Sequence, residues 1–254
     1  MNRILITNDD SVTASQLLPL IRVFQRYGEI TCIVPRLEQS GKSHGIEIRN
    51  SFACQEVMLE DVKVWTVDST PADCVRFGIF GLKKEFDLVV SGINRGFNVG
   101  ADMMYSGTVA AICEAALFGI PAIALSTSPG YYEEAVNHVD SVMGYLNLHK
   151  LWDVHKLYNI NIPRSPKGFR YTRQGGPYFS DDFLVENGMV TPKGKCVYEE
   201  SGDTNLDTDA VTMGYISITP VTINMTDMTI YKQLLQQDPC PNPPMSLRDK
   251  SREN

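Results

Sequence analysis

The sequence has no surplus of positive charge, no paired-cysteine spacing and no apolar run long enough to cross a bilayer. Its 254 residues include 23 Lys and Arg against 30 Asp and Glu, for a formal charge of −7. Acidic residues outnumber basic ones in both halves of the chain, so neither half offers the basic face that a duplex nucleic-acid binder needs. An anionic ligand must therefore find its charge compensation in a local device: a metal, a helix N-terminus or a few placed cations. Cys32, Cys54, Cys74, Cys113, Cys196 and Cys240 form no C-x-x-C pair and follow no regular spacing. They read as reduced, buried thiols of a cytoplasmic protein. The most apolar window, residues 109–125, is interrupted by Glu114, Gly119 and Pro121. This suits a buried helix followed by a strand better than a span of about 20 residues, and no membrane partner is expected. The first apolar stretch gives way to Asn8 too early to house a signal-peptide core of roughly 7–15 residues.

What is present is alternation. Residues 3–7 read as a short strand, 16–27 as a helix closed by Gly28 and 29–34 as a second strand halted by Pro35. That β-α-β unit begins a parallel sheet with a right-handed crossover. The pattern continues with strands at 63–67, 87–90 and 121–126 and helices at 71–81, 108–118 and 132–148. It predicts an α/β fold of three layers, a doubly wound, mostly parallel, Rossmann-like sheet with helices on both faces. The metal- and phosphate-binding core is placed at residues 1–165. Residues 166–235 form a β-rich C-terminal extension of the same domain, an arm suited to oligomerisation. Residues 236–254, rich in proline, are a disordered tail.

Ligands of open parallel sheets bind beyond the carboxyl ends of the strands, and every conspicuous polar segment falls at such an end. Adjacent Asp9 and Asp10 would repel one another in a partly dry site unless a cation were present, and a hard divalent ion with oxygen ligands relieves that repulsion. Ser40, in the loop after the second strand, offers a neutral oxygen. Asn94 offers a carbonyl oxygen to a cation and Asn98 an amide to a phosphate, both in the glycine-bearing stretch 91–100, read as a loop. Ser106, Gly107 and Thr108 open the most apolar helix, whose free N–H groups and dipole attract anions. Each segment also has a plain alternative, as a helix cap or a surface turn; their convergence favours function.

Taken together, N-D-D-S at 8–11, Q-S-G at 39–41, S-T-P-A-D-C at 69–74, S-G-I-N-R-G-F-N at 91–98 and Y-S-G-T-V-A-A at 105–111 resemble the signature blocks of the stationary-phase survival protein SurE family. N-I-N-I-P at 159–163 and M-G-Y-I-S-I-T-P at 213–220 extend the likeness to about residue 220. The resemblance implies a phosphatase, a 5′-nucleotidase converting nucleoside 5′-monophosphates to nucleoside and phosphate, with one divalent ion, Mg²⁺ or Mn²⁺, per subunit. It implies Asp9, Asp10, Ser40 and Asn94 as metal ligands, and Asn98, Ser106, Gly107 and Thr108 around the phosphate. It also implies homodimers or homotetramers built by exchange of a C-terminal hairpin. The pattern departs at Ser11 and Ser69, where the family usually has glycine; a serine at position 11 would be strained if that residue needs positive φ.

The mechanism expected is in-line attack by a metal-activated water, with Asp9 or Asp10 orienting it. Two alternatives stand beside it: an aspartyl-phosphate intermediate on Asp9, and a nucleotide- or metal-binding module without turnover.

Overall fold

The computed structural model describes residues 2–237; the predicted tail, 236–254, lies outside them except for its first two residues. The chain divides into two compact units, residues 1–221 and residues 222 onward.

The first unit is built on β1 (Asn2–Thr7), α1 (Leu17–Phe24), β2 (Gly28–Pro35), β3 (Cys54–Leu59), β4 (Val62–Val67), α2 (Pro71–Arg76), β5 (Leu88–Arg95), α3 (Gly107–Leu117), β6 (Ala122–Thr127), α4 (Tyr132–Leu148), α5 (Leu151–Val154) and β7 (Leu157–Ile162). Beyond these lie β8 (Phe169–Tyr171), the small strands β9 (Phe179–Ser180), β10 (Phe183–Glu186), β11 (Met189–Pro192) and β12 (Lys195–Cys196), then α6 (Asp207–Thr212) and β13 (Ile216–Pro220). Nine strands make one sheet in the order β3-β4-β2-β1-β5-β6-β7-β13-β8. From β4 to β7 the pairs are parallel, whereas β3 and β13 run antiparallel to β4 and β7. Strand order reverses between β1 and β5, so a crevice opens where their carboxyl ends diverge.

Both faces of the sheet are covered, which is why its central strands read as continuous apolar runs. Ile4 and Ile6 of β1 point into a core shared with α1 and α4, while Leu5 points into the opposite core with α2 and α3. Along β5 the same alternation sends Leu88 and Val90 one way and Val89 the other.

Three expectations change. The stretch 91–95 is strand rather than loop: β5 continues to Arg95, with its register to β6 slipping between Ser91 and Asn94. Gly92 makes the slip possible, having φ +136° and lying so close to the β6 backbone that a Cβ would sit 2.2 Å from the Leu125 carbonyl. The helix expected to run to Gly81 leaves regular α geometry at Phe77 and finishes as a wider π turn. Of the described cysteines, Cys32 and Cys74 are buried, but Cys54 and Cys196 are exposed on β3 and β12; all five are unpaired.

The hairpin β10–β11 carries Phe183, Leu184, Val185, Met189 and Val190, all exposed. In the second unit, α7 (Met228–Gln237) likewise exposes Ile230, Tyr231, Leu234 and Leu235. No described helix is long and apolar enough to cross a membrane.

Candidate active site

Asp9 and Asp10 leave the carboxyl end of β1 into the crevice, but their surroundings differ. Asp9 is only 3 % exposed. Its Oδ1 accepts the Thr108 hydroxyl at 2.6 Å. Gly107 lies against it, where a Cβ would approach the Asp9 Cβ and the Pro71 Cγ to 3.2 Å. The start of α3 thus packs close against Asp9, and a side chain at residue 107 would press on it. Burial pushes the Asp9 carboxyl up to about 6, the Thr108 hydroxyl opposes this, and the negative charge of Asp10 adds to it.

Asp10 is half-buried, and its Oδ2 accepts both the Gln16 side-chain amide and the Arg95 backbone N–H at 2.9 Å. Gln16 spends its other donor capacity on the Ile93 carbonyl at 2.8 Å, cross-linking the start of α1 to β5. Burial raises the Asp10 carboxyl as well, while the Arg95 N–H holds it back. Glu38 acts on both aspartates as a further negative charge. It accepts the Ser40 hydroxyl at 2.7 Å and an Arg95 guanidinium N–H at 3.3 Å.

The Ser40 loop is held to the site from several directions. Gln39 N–H donates to the Asp9 carbonyl at 2.8 Å, Ser43 N–H donates to the Tyr105 carbonyl at 3.0 Å, and His44 Nε2 pairs with the buried Glu114 carboxylate at 2.7 Å. Ser40 itself is exposed. Asn94 sits on the last turn of the β5 irregularity and donates its Nδ2 to the Gly96 carbonyl at 2.9 Å, which commits the amide nitrogen and leaves Oδ1 as the acceptor. The predicted ligands Asp9, Asp10, Ser40 and Asn94 are therefore drawn together by hydrogen bonds that link their own backbones or neighbours. Among the described residues no three His, Cys, Asp or Glu side chains surround a common point. A cation here would rely on neutral oxygens beside the two aspartates, a hard donor set that suits Mg²⁺ or Mn²⁺.

At the start of α3, Ser106 caps the helix by accepting the Val109 N–H at 3.1 Å, so the plain reading of Ser106 as a cap holds. The N–H groups of Gly107 and Thr108 are not taken by that cap. Thr108 commits its hydroxyl to Asp9, which leaves its backbone N–H as its means of binding an anion. Asn98 is buried and donates Nδ2 to Ser126 Oγ at 2.8 Å. The next residues are braced from the C-terminal part of the chain. The fully buried Asp207 carboxylate accepts Gly100 N–H at 3.0 and 3.1 Å and Gly175 N–H at 2.8 Å.

Ser11 does adopt positive φ, at +75°. Its hydroxyl accepts the Thr13 N–H at 3.3 Å and pairs with the Thr13 hydroxyl at 2.9 Å, a local compensation for an unfavourable backbone. Gln16 and Glu38, which orient or bias the aspartates, belong to none of the motif blocks. Glu38 adjoins the Q-S-G block, whereas no local signal marks Gln16.

The family profile described as "Survival protein SurE" matches residues 4–181. The "5'-nucleotidase SurE" of Petrotoga mobilis is 33% identical over 248 residues, covering 91% of this chain and 97% of that protein. The "5'-nucleotidase SurE" of Thermosipho melanesiensis is 35% identical over 247 residues, covering 91% and 95%. A crystal structure of the SurE protein from Aquifex aeolicus superposes with a TM-score of 0.74 at 29% identity, covering 92% of this chain and 99% of that one. A shared doubly wound sheet, a shared length and sequence identity sustained along nearly the whole chain lead to one conclusion: this protein belongs to the SurE family.

Proposed function

We propose that the chain is a 5′-nucleotidase that hydrolyses nucleoside 5′-monophosphates to nucleoside and phosphate with the help of one divalent ion. The observation that carries this reading is the buried Asp9 carboxylate, held by Thr108 at the very start of α3 with Asp10 beside it. Carboxylates that must shed their protons in a dry crevice belong with a cation, and a helix start facing the same crevice belongs with an anion. The two curated relatives carry the same activity in their names.

Asp9, Asp10, Asn94 and Ser40 would hold the ion, Mg²⁺ or Mn²⁺. When bound, it supplies positive charge to the phosphoryl oxygens and a water acidified toward neutral pH. The residues of the chain do the rest. The N–H groups of Gly107 and Thr108 and the Ser106 hydroxyl receive the phosphoryl oxygens, and the Asn98 amide fixes the phosphate from the β5 side. Asp10 keeps Oδ2 bound to Gln16 and Arg95, so Oδ1 is the atom left to face the ion or orient a water. Thr108 fixes the rotamer of Asp9 in the same way.

The exposed apolar hairpin β10–β11 supports assembly into a homodimer or homotetramer through that arm. The unpaired state of the described cysteines fits a reducing, cytoplasmic setting.

The test is phosphate release from AMP and GMP after exhaustive chelation and after return of Mn²⁺ or Mg²⁺. Activity should vanish and return. Full turnover by protein shown to be metal-free would refute the reading.

A further inference from the structure

The strand β7 is buried at every position, yet it carries two asparagines, Asn159 and Asn161. Spaced by two, they lie on one face of the sheet. Amide groups inside an apolar layer are costly unless they are hydrogen-bonded, and here every amide atom but Asn159 Oδ1 has a partner. Their partners converge on one residue. Asn161 Oδ1 accepts the Asn98 N–H at 2.8 Å while its Nδ2 donates to the Asn98 carbonyl at 3.0 Å, so a single side chain grips both backbone groups of Asn98. Asn159 Nδ2 donates to the same carbonyl at 2.7 Å. The third grip is on the side chain, where Asn98 Nδ2 donates to Ser126 Oγ.

Sheet register explains how this is possible. Asn94 of β5 pairs with Ser126 of β6, Ser126 with Asn161 of β7, and Asn161 with Ser217 of β13. The result is a polar row crossing four strands, level with the crevice and beginning at a proposed metal ligand. Asn161 Nδ2 also reaches Ser217 Oγ at 3.3 Å, which ties the far end of the row to its centre.

We propose that Asn161, Asn159 and Ser126 are positioning residues that set the Asn98 carboxamide for the substrate's phosphate. This rests on the reading of Asn98 as a phosphate contact. With its N–H and carbonyl held by β7 and one amide hydrogen held by β6, Asn98 has only its second amide hydrogen and Oδ1 left to offer. A rigid donor of this kind binds phosphate without the loss of rotamer freedom that a loose asparagine would suffer.

The test uses the full-length protein at saturating Mn²⁺ with the variants Ser126→Ala, Asn161→Asp, Asn98→Ala and the double variant Ser126→Ala with Asn98→Ala. Steady-state AMP hydrolysis, inhibition by inorganic phosphate, Mn²⁺ affinity by calorimetry and thermal unfolding are measured for each. Ser126→Ala removes one oxygen and should fold; Asn161→Asp keeps the acceptor for Asn98 N–H but turns an oxygen toward its carbonyl. We expect the AMP KM and the phosphate inhibition constant to rise together by roughly three- to tenfold in Ser126→Ala, as for loss of one hydrogen bond, and by more in Asn161→Asp. Mn²⁺ affinity should stay within about twofold, and the double variant should be no worse than Asn98→Ala alone. If Asn98→Ala weakens phosphate but Ser126→Ala and Asn161→Asp do not, the positioning role is overturned. It is also overturned if the two losses add in the double variant, or if Mn²⁺ affinity falls as much as phosphate affinity. If Asn98→Ala itself leaves KM and phosphate inhibition unchanged while AMP is still hydrolysed, the phosphate contact fails and this inference with it, the nucleotidase reading surviving.

Discussion

Replacing Asp9 by asparagine should make the metal-free protein more stable while abolishing its response to divalent ions. Burial raises the Asp9 carboxyl from an ordinary 3.8 to about 6 in the folded state. A group raised on folding contributes fully below its unfolded value and loses that contribution as pH climbs through its folded one. The window here is therefore about pH 3.8 to 6, above which wild type carries the whole penalty. A shift of about two units corresponds to ~3 kcal/mol at neutral pH. Asparagine keeps an oxygen for the Thr108 hydroxyl, but burying amide hydrogens without acceptors costs about 1–2 kcal/mol. The net gain is then ~1–2 kcal/mol, or roughly 2–8 °C in a domain of this size. Thermal unfolding of chelated samples from pH 4 to pH 8 is the assay. The advantage of Asp9→Asn should grow between pH 4 and 6 and level off above. Mn²⁺ at about 100 times its dissociation constant should restore ~2.7 kcal/mol to wild type and nothing to the variant. A variant no more stable than wild type at pH 7.5 without metal would refute the assignment of a strained, buried charge.

Gly107→Ala should reduce both Mn²⁺ affinity and turnover, since its Cβ would press on Asp9 and shift the carboxylate; calorimetry and kinetics separate the two effects. Ser11→Gly should retain or raise turnover, because relief of positive φ removes ~1–2 kcal/mol of strain against the loss of the Thr13 contacts. A fall in both turnover and metal affinity would show that the hydroxyl serves the site. Excising residues 183–192 and joining Asp182 to Lys193 through two glycines should give a monomer by light scattering, the hairpin neck being already closed by Lys193 N–H to the Asp182 carbonyl at 2.7 Å. Full-length protein that is monomeric at micromolar concentration would defeat that expectation.

The elements visible from sequence are those whose residues report their own surroundings. α4 shows in the sequence because its turns repeat an apolar stripe, and β1 and β2 because their central residues are apolar on both faces. β3 was missed because it is an edge strand with mostly exposed side chains, and its pairing with β4 leaves no apolar signature. α6 was missed because six residues are too few for a period, and what holds it is the capture of distant N–H groups by Asp207. The site divides along the same line. Asp9, Asp10 and Asn94 stand out in the sequence at or after apolar runs, and Glu38 and Asn161 adjoin or lie within marked blocks, but their partners, and those of the unmarked Gln16, lie up to 77 residues away and appear only in the fold. The end of β5 looks like a loop in sequence because glycine and asparagine normally stop strands, and only the close approach of β6 shows why they continue this one.

Asp207 gives the protein a sense of its own completeness. Synthesis proceeds from the N-terminus, and a nascent chain of about 165 residues already contains both aspartates, Asn94 and seven strands of the main sheet. The Gly100 N–H groups with a carboxylate that arrives 107 residues later, and the same carboxylate holds Gly175 at the root of the arm. The segment after Asn98 is thus fastened only once Asp207 has been made. A chain clipped before Asp207 would keep both aspartates and Asn94 but lose the brace on Gly100 and Gly175, and its turnover is expected to fall.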